Sequence, residues 1–353
     1  MIKNRERTYI NVVKGIAIVF MIWGHCIQYC AKGGLDSFGN PVYQFIYSFH
    51  MPLFMMISGY LFYFSFQKRD LRTLLVHRTQ GMLQPIVFGS ILNIFLIELP
   101  TFLLHGTIDL FNGALLGGLY SLWFLWCVLS SGTAVAIAGK AGKSFFTQLL
   151  YLVLGFFFVA LFPENEYHMY MYPYFTAGFL YGKYRSRIPA WITKLAYLSV
   201  LVFPRMLPDY HREHLIYSSP VYIPEATLAE MAVLNGFRWG IGFAGSLLVL
   251  SVAEVLFKLT VDRNRKPKIF DMLAKLGENS LAIYCISVSL LSYYLPKVYD
   301  RFLLIAGRNI FAENVQIYNY VFTPILTVLY CFGLYYVVQL MKKAKIHRLI
   351  FGR

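Results

Sequence analysis

Acidic side chains are scarce in this sequence, 17 Asp and Glu against 32 Lys and Arg in 353 residues, and charged residues of all kinds reach only 14%. A soluble domain of this length carries roughly a quarter charged residues, so a water-facing globular fold is excluded. Low-complexity tails, obvious repeats and a separate soluble domain are also missing. The five cysteines (Cys26, Cys30, Cys127, Cys285 and Cys331) form no CxxC and lie in or beside apolar runs. No metal-ligand spacing appears, so no metal site is expected and the thiols read as packing groups. The first apolar run lacks a small-residue cleavage site, which makes it an uncleaved span rather than a leader.

What is present is hydrophobic sequence, 58% of the chain, with 18% aromatics. Apolar windows at about 10–29, 42–66, 82–104, 115–139, 145–162, 168–182, 190–204, 227–257, 279–296 and 317–341 predict ten helical spans. The sixth and seventh are short for a ~30 Å hydrocarbon core; the eighth is long enough to tilt or to extend beyond it. The expected fold is all-α, a polytopic membrane helix bundle of about ten spans that forms one integral-membrane domain over residues 1–353. The net charge of +15 would suggest nucleic acid in a soluble chain. Here alternate connections beginning with the N-terminus hold twenty-three Lys and Arg, and the opposite loops hold six. That asymmetry predicts both termini in the cytoplasm and no nucleic-acid partner.

Two spans carry side chains that lipid would not tolerate. The first contains Lys14 and His25. They stand eleven positions apart, roughly three turns and about 16 Å along one face. The second contains His50, Pro52 and Ser58–Gly59. Ionisable groups inside a span mark function by default. A lone imidazole is as readily a neutral hydrogen-bonding group between helices, and Lys14 near a helix end can snorkel. Two histidines on consecutive antiparallel helices, with a lysine aligned below one of them, favour chemistry or proton transfer. Pro52 should kink its helix; Ser58–Gly59 should allow close packing.

Arg238 in NGFRWGIGF is a third anomaly. A guanidinium there suits a phosphate or carboxylate, or a buried pair with Glu230 or Glu98. Glu98 at the outer end of span three could bind a sugar hydroxyl or be a solvated end residue. The outer loop PRMLPDYHREHLIYSSPVYIPE has the tyrosines and polar groups that a glycan contacts, as many surface loops do.

Lys14, ten intervening residues and His25, in VVKGIAIVFMIWGHC, resemble the first span of the membrane acyltransferase-3 superfamily. FHMPLFMMISGYLF resembles its second motif, SLWFLWCVL carries a similar Trp-Phe-Leu at 123–125, and LGENSLAIY at 276–284 resembles the start of its penultimate span. The phrasing is most similar to the fucose 4-O-acetylase-like branch. Gly81 stands where the family often has a second Arg after Arg78, and Ser287 where many members have His. The resemblance implies a bacterial cytoplasmic-membrane (inner-membrane) enzyme, an O-acyltransferase moving an acetyl or similar group from acyl-CoA to a hydroxyl of a cell-envelope glycan. Acetyl-CoA would be a co-substrate, with no permanently bound cofactor; an oligomer is compatible with this.

On that reading His25 is general base or acyl carrier and His50 supports it. Lys14 and Arg78, with the basic run Arg263–Lys268, would hold the donor phosphates, Trp123 and Arg238 are further donor-binding candidates, and Glu98 is a weak acceptor candidate. Trp123 can equally be an interfacial residue and the basic run a topology signal. The alternative from another class is a proton-coupled transporter or flippase, in which Lys14, His25 and His50 relay protons; no matching motifs in the two halves favour it.

Overall fold

The computed structural model describes residues 4–106, 121–260, 267–306 and 310–351, and these contain helices and no strand. In chain order the principal elements are α1 (Asn4–Cys30), α2 (Pro41–Tyr47), α3 (His50–Lys68), α4 (Leu71–Leu104), α5 (Trp123–Ala141), α6 (Phe145–Val159) and α7 (Asn165–Tyr184). They continue with α8 (Ala190–Asp209), α9 (Leu228–Thr260), α10 (Lys268–Glu278), α11 (Ser280–Ile305), α12 (Val315–Lys343) and α13 (Ile346–Phe351). Eight segments among the described residues are long and apolar enough to cross a membrane: α1, α2–α3, α4, α5, α8, α9, α11 and α12. The expected fifth span is the apolar but 15-residue α6, and the sixth is the 20-residue α7. α9 has 33 residues, about 50 Å at 1.5 Å per residue, more than a bilayer core needs. The beginning of the expected fourth span, 115–120, lies outside the described residues.

α7 misses the hydropathy of its neighbours because it is central. Its Tyr170, Tyr172, Tyr174 and His168 are all buried by protein. It crosses α3 where glycines let backbones meet. A Cβ on Gly59 would fall 1.9 Å from the Phe175 carbonyl oxygen, and one on Gly178 would fall 2.0 Å from that of Met56. Ser58–Gly59 therefore marks close packing, the small-residue contact that joins helices in lipid. The same device docks the amphipathic α10 on α1. A Cβ on Gly15 would strike the Leu273 oxygen at 2.0 Å, and one on Gly277 the Asn11 oxygen at 1.8 Å. The residue after Lys14 and the glycine of LGENS are thus two halves of one joint.

At the other end of α1, α12 locks it in place. Trp23 donates to Thr323 Oγ1 at 2.9 Å and the Tyr318 hydroxyl donates to the Ile27 carbonyl at 2.6 Å. Among the described residues, the chain alternates so that the N-terminus and the basic ends of α3, α7 and α12 share one end of the bundle. The loops 31–39 and 210–227 share the opposite one, which we call the far end.

Gly178→Ala should force the α3–α7 crossing apart by a backbone shift, at about 1–3 kcal/mol for overpacking. Its detergent-solubilised melting temperature should fall, whereas Gly333→Ala, where an added Cβ meets nothing within 4 Å, should leave melting unchanged or raise it.

Candidate active site

The second membrane segment is broken near its far end. α2 stops at Tyr47, α3 starts at His50, and Ser48–Phe49 lie between them. Pro52 accounts for the position of the break. It has no N–H for the carbonyl four residues earlier, that of Ser48, and its ring clashes with a helical carbonyl there. The kink expected at Pro52 is therefore displaced one turn upstream, and Pro52 itself sits in the first turn of α3, where it is tolerated. At the break the Ile46 carbonyl faces His50 Nδ1 at 2.9 Å. A carbonyl only accepts, so Nδ1 carries the proton, and a neutral His50 keeps its lone pair on Nε2. α2 is fixed from its other end by Asn40, whose Oδ1 caps the N–H groups of Val42 and Tyr43 and whose Nδ2 donates to Asn319 at 2.6 Å.

Tyr47, at the lip of the break, touches both histidines. Its hydroxyl lies 3.4 Å from His25 Nδ1 and donates to Gln28 Oε1 at 3.0 Å. One hydroxyl has one proton. With that proton on Gln28, His25 Nδ1 is the donor to the tyrosine oxygen, and Nε2 of His25 is again the basic nitrogen. The Tyr47 ring meets the His50 ring edge-on at 4.7 Å and stacks on Tyr43 at 3.8 Å, while His25 stacks on Tyr29 at 5.5 Å. Gly24 makes the room, since a Cβ there would fall 2.6 Å from the Tyr47 ring. His25 is thus half-buried among aromatic groups of the bundle, and His50 is 2% exposed.

Two cavities approach this cluster from the far end. The inner one, about 10 Å³ or room for roughly one water, is lined by Tyr47, His50, Tyr170, Tyr210 and Tyr217 among others. The outer one, about 320 Å³, is lined by Glu164, Glu166, Tyr167, Ser218 and Ser219, and shares Ile216 and Tyr217 with the inner. Trp123 stands against Tyr167 at 4.8 Å and Tyr217 at 6.3 Å, and Tyr217 reaches the Tyr47 ring at 5.7 Å. An unbroken aromatic path therefore runs from the outer cavity to both histidines. Glu164 at its rim has φ +53°, a left-handed conformation that costs a non-glycine residue about 1–2 kcal/mol. Partial desolvation, then the charge of Glu166, raises its carboxyl pKa from the ordinary glutamate value.

The remaining expected residues are dispersed. Lys14 is half-buried on α1, eleven residues before His25. Arg78 lies between α4 and α5, donating to the Val128 carbonyl at 2.6 Å and stacking over Phe62 at 4.4 Å; its Nε is buried without a hydrogen-bond partner. Trp123 packs on Tyr167 and Tyr217, two residues that line the far-end cavities. Arg238 is fully buried, donating to the carbonyls of Glu213 (2.7 Å), Ser219 (2.8 Å) and Pro220 (3.2 Å) and to Asn235 Oδ1 (3.1 Å). Neither expected acid is its partner, because Glu230 caps Thr227 and Glu98 lies on the α4 π-turn near Tyr293. Arg238 holds the far-end loop. Of the basic run Arg263–Lys268, residues 263–266 lie outside the described residues. Among the described residues no three His, Cys, Asp or Glu come together to hold a metal.

Tyr47, Tyr167 and Glu164 escaped the sequence reading, and Tyr217 entered it only as one tyrosine of the outer loop 204–225. Tyr47 had a usable signal, its place three residues before His50; Tyr217 had only the composition of its loop, and Glu164 had none, because chain-distant loops bring them together. A buried Ser130–His168 pair, 2.6 Å apart beneath Phe162, was also missed, and neither cavity is lined by it.

Comparison with known proteins agrees with the first two motifs. Residues 7–340 match the family described as "Acyltransferase domain", the third acyltransferase family of that name. The chain is similar to Nodulation protein NolL of Sinorhizobium fredii, 28% identical over 302 residues that cover 80% of this chain and 77% of the relative. It is also similar to Nodulation protein NolL of Mesorhizobium japonicum, 25% identical over 294 residues covering 80% and 76%. No solved structure matches.

Arg238→Met should leave three loop carbonyls without their donor, at a cost of a few kcal/mol for charged hydrogen bonds lost in a buried setting. Limited proteolysis within 207–227 should become at least about tenfold faster, by the factor of ten per 1.4 kcal/mol that sets the open population. An unchanged cleavage rate would refute the anchoring role.

Proposed function

This chain belongs to the acyltransferase-3 family, and from that premise we propose that it is a bacterial inner-membrane O-acyltransferase that moves an acetyl or similar acyl group from acyl-CoA to a hydroxyl of a cell-envelope glycan. The observation that carries the reading is the convergence of His25 and His50 on Tyr47 inside the bundle, next to a cavity open toward the far end. The predominance of basic residues at the N-terminal end supports cytoplasmic termini, which turns the cavities outward toward an envelope acceptor.

In this mechanism His25 Nε2 takes the proton of the acceptor hydroxyl, and the resulting oxygen nucleophile attacks the thioester carbonyl carbon. The carbon–sulfur bond breaks and the proton passes to the departing thiolate. A two-step variant has Nε2 attack the thioester first, breaking the carbon–sulfur bond and expelling the thiolate to give an acyl-imidazole. The glycan hydroxyl then takes the acyl group, releasing the imidazole, and its proton passes to the thiolate. Tyr47, held by Gln28, orients His25 in either case, and His50 faces the acceptor side. The donor's anionic groups would approach from the cytoplasmic end. Arg78 supports that assignment, since its buried Nε lacks a partner and a guanidinium suits phosphate. Lys14 stands between that end and His25.

In membranes supplied with labelled acetyl-CoA, His25→Ala should lower transfer to envelope glycan by at least ~100-fold, the lower bound for losing a general base, at unchanged protein level. Tyr47→Phe keeps the ring stack and should lower kcat more than it raises KM. Arg78→Gln should mainly raise KM for the donor. Undiminished turnover in the His25 variant would overturn the mechanism.

A further inference from the structure

The outer cavity has features the chemistry at His25 does not use. At about 320 Å³ it is at the small end of ligand sites, enough for a sugar unit rather than a long chain segment. One wall is aromatic, with Tyr167 and Tyr217 at 5.6 Å from each other and Trp123 packed against both. Ring faces of this kind accept the C–H face of a pyranose, while the hydroxyl tip of a tyrosine stays available for hydrogen bonding. The same cavity is lined by Ser218 and Ser219 and by the acidic residues Glu164 and Glu166. Ionised carboxylates only accept hydrogen bonds. They receive hydroxyl or ammonium donors and oppose another anion.

We infer that this vestibule binds the acceptor's sugar unit and selects neutral or amine-bearing sugars against carboxylate-bearing ones. The inference rests on the acyl-transfer reading for the word acceptor, though binding in the vestibule does not require it. The charge of the lining residues has one sign, two carboxylates and no cation. The buried cation behind the wall, Arg238, has its terminal nitrogens occupied by the carbonyls of 213, 219 and 220 and by Asn235. A uronate in the cavity would therefore lose the solvation of its carboxylate and meet like charge, an element of rejection rather than of attraction. Glu164 is held there at the expense of a left-handed backbone. The shared residues Ile216 and Tyr217 place the bound sugar next to the void that Tyr47 and His50 line.

The test uses the purified full chain in lipid nanodiscs without any acyl donor, titrated with β-1,4-linked tetrasaccharides of glucose, glucosamine and glucuronic acid. Binding is read by ligand-observed saturation-transfer NMR. The glucose and glucosamine compounds should bind at least ~fivefold more tightly than the glucuronate, the scale of a partly screened charge contact. In the Glu164→Gln/Glu166→Gln variant, checked for an unchanged melting temperature, the glucuronate should gain affinity and the glucosamine lose it, closing the gap to within about twofold once that contact is removed. Equal or preferred binding of glucuronate by the native chain, a gap unaltered in the variant, or no binding of any of the three at millimolar concentration would each overturn the inference. Labelled acetyl-CoA turnover is measured in parallel. Carboxylate-dependent selectivity without turnover would remove the catalytic reading and keep this one, and turnover without such selectivity would do the reverse.

Discussion

Proline at position 52 cannot supply an N–H to the carbonyl of Ser48, and the second membrane segment gives way at that point. The break in that segment follows from this missing donor. The gap between Tyr47 and His50 exposes the Ile46 carbonyl, which orients one imidazole. It also leaves the Tyr47 side chain at a helix end, where its ring can pack on His50 and its hydroxyl can reach His25 on the neighbouring helix. An uninterrupted helix would carry its 46–49 carbonyls along the axis, each facing the N–H four residues on.

Holding such a break steady inside a bilayer requires stiff surroundings, and glycine supplies them by letting main chains approach. Gly59 with Gly178, and Gly15 with Gly277, bring α3 to α7 and α10 to α1 at distances that no Cβ would permit. Gly24 does the same for a single ring, accepting the face of Tyr47 one residue before His25. In lipid, where apolar burial between helices gains little, dispersion across close contacts is what fixes helix against helix. The helices that present the catalytic candidates are therefore held at their spacing by residues that have no side chain at all.

The bundle was legible in the sequence because lipid imposes long apolar runs, and α1, α3 and α9 emerge close to where those runs predict. His25, His50 and the close-packing Ser58–Gly59 were legible for the same reason, as polar or small residues where hydrocarbon would be expected. α7 was hard to read because a helix wrapped by protein need not be apolar, and its buried tyrosines disguise it. Arg238 was visible as an anomaly, yet its partners are main-chain oxygens of a loop, which have no signature in a sequence. Tyr217 and Glu164 depend on how the 210–227 loop folds over the bundle. Only the assembled chain reveals that Trp123 belongs to their side of the protein.

The way Arg238 grips that loop has an evolutionary corollary. It holds the peptide oxygens of 213, 219 and 220, groups that every amino acid possesses. Side chains between those points can be exchanged without loosening the mount, so the mouth of the protein can be re-tailored while the machinery beneath is left alone. Such a chain is a ready scaffold for diversification, with a fixed engine and an interchangeable nozzle.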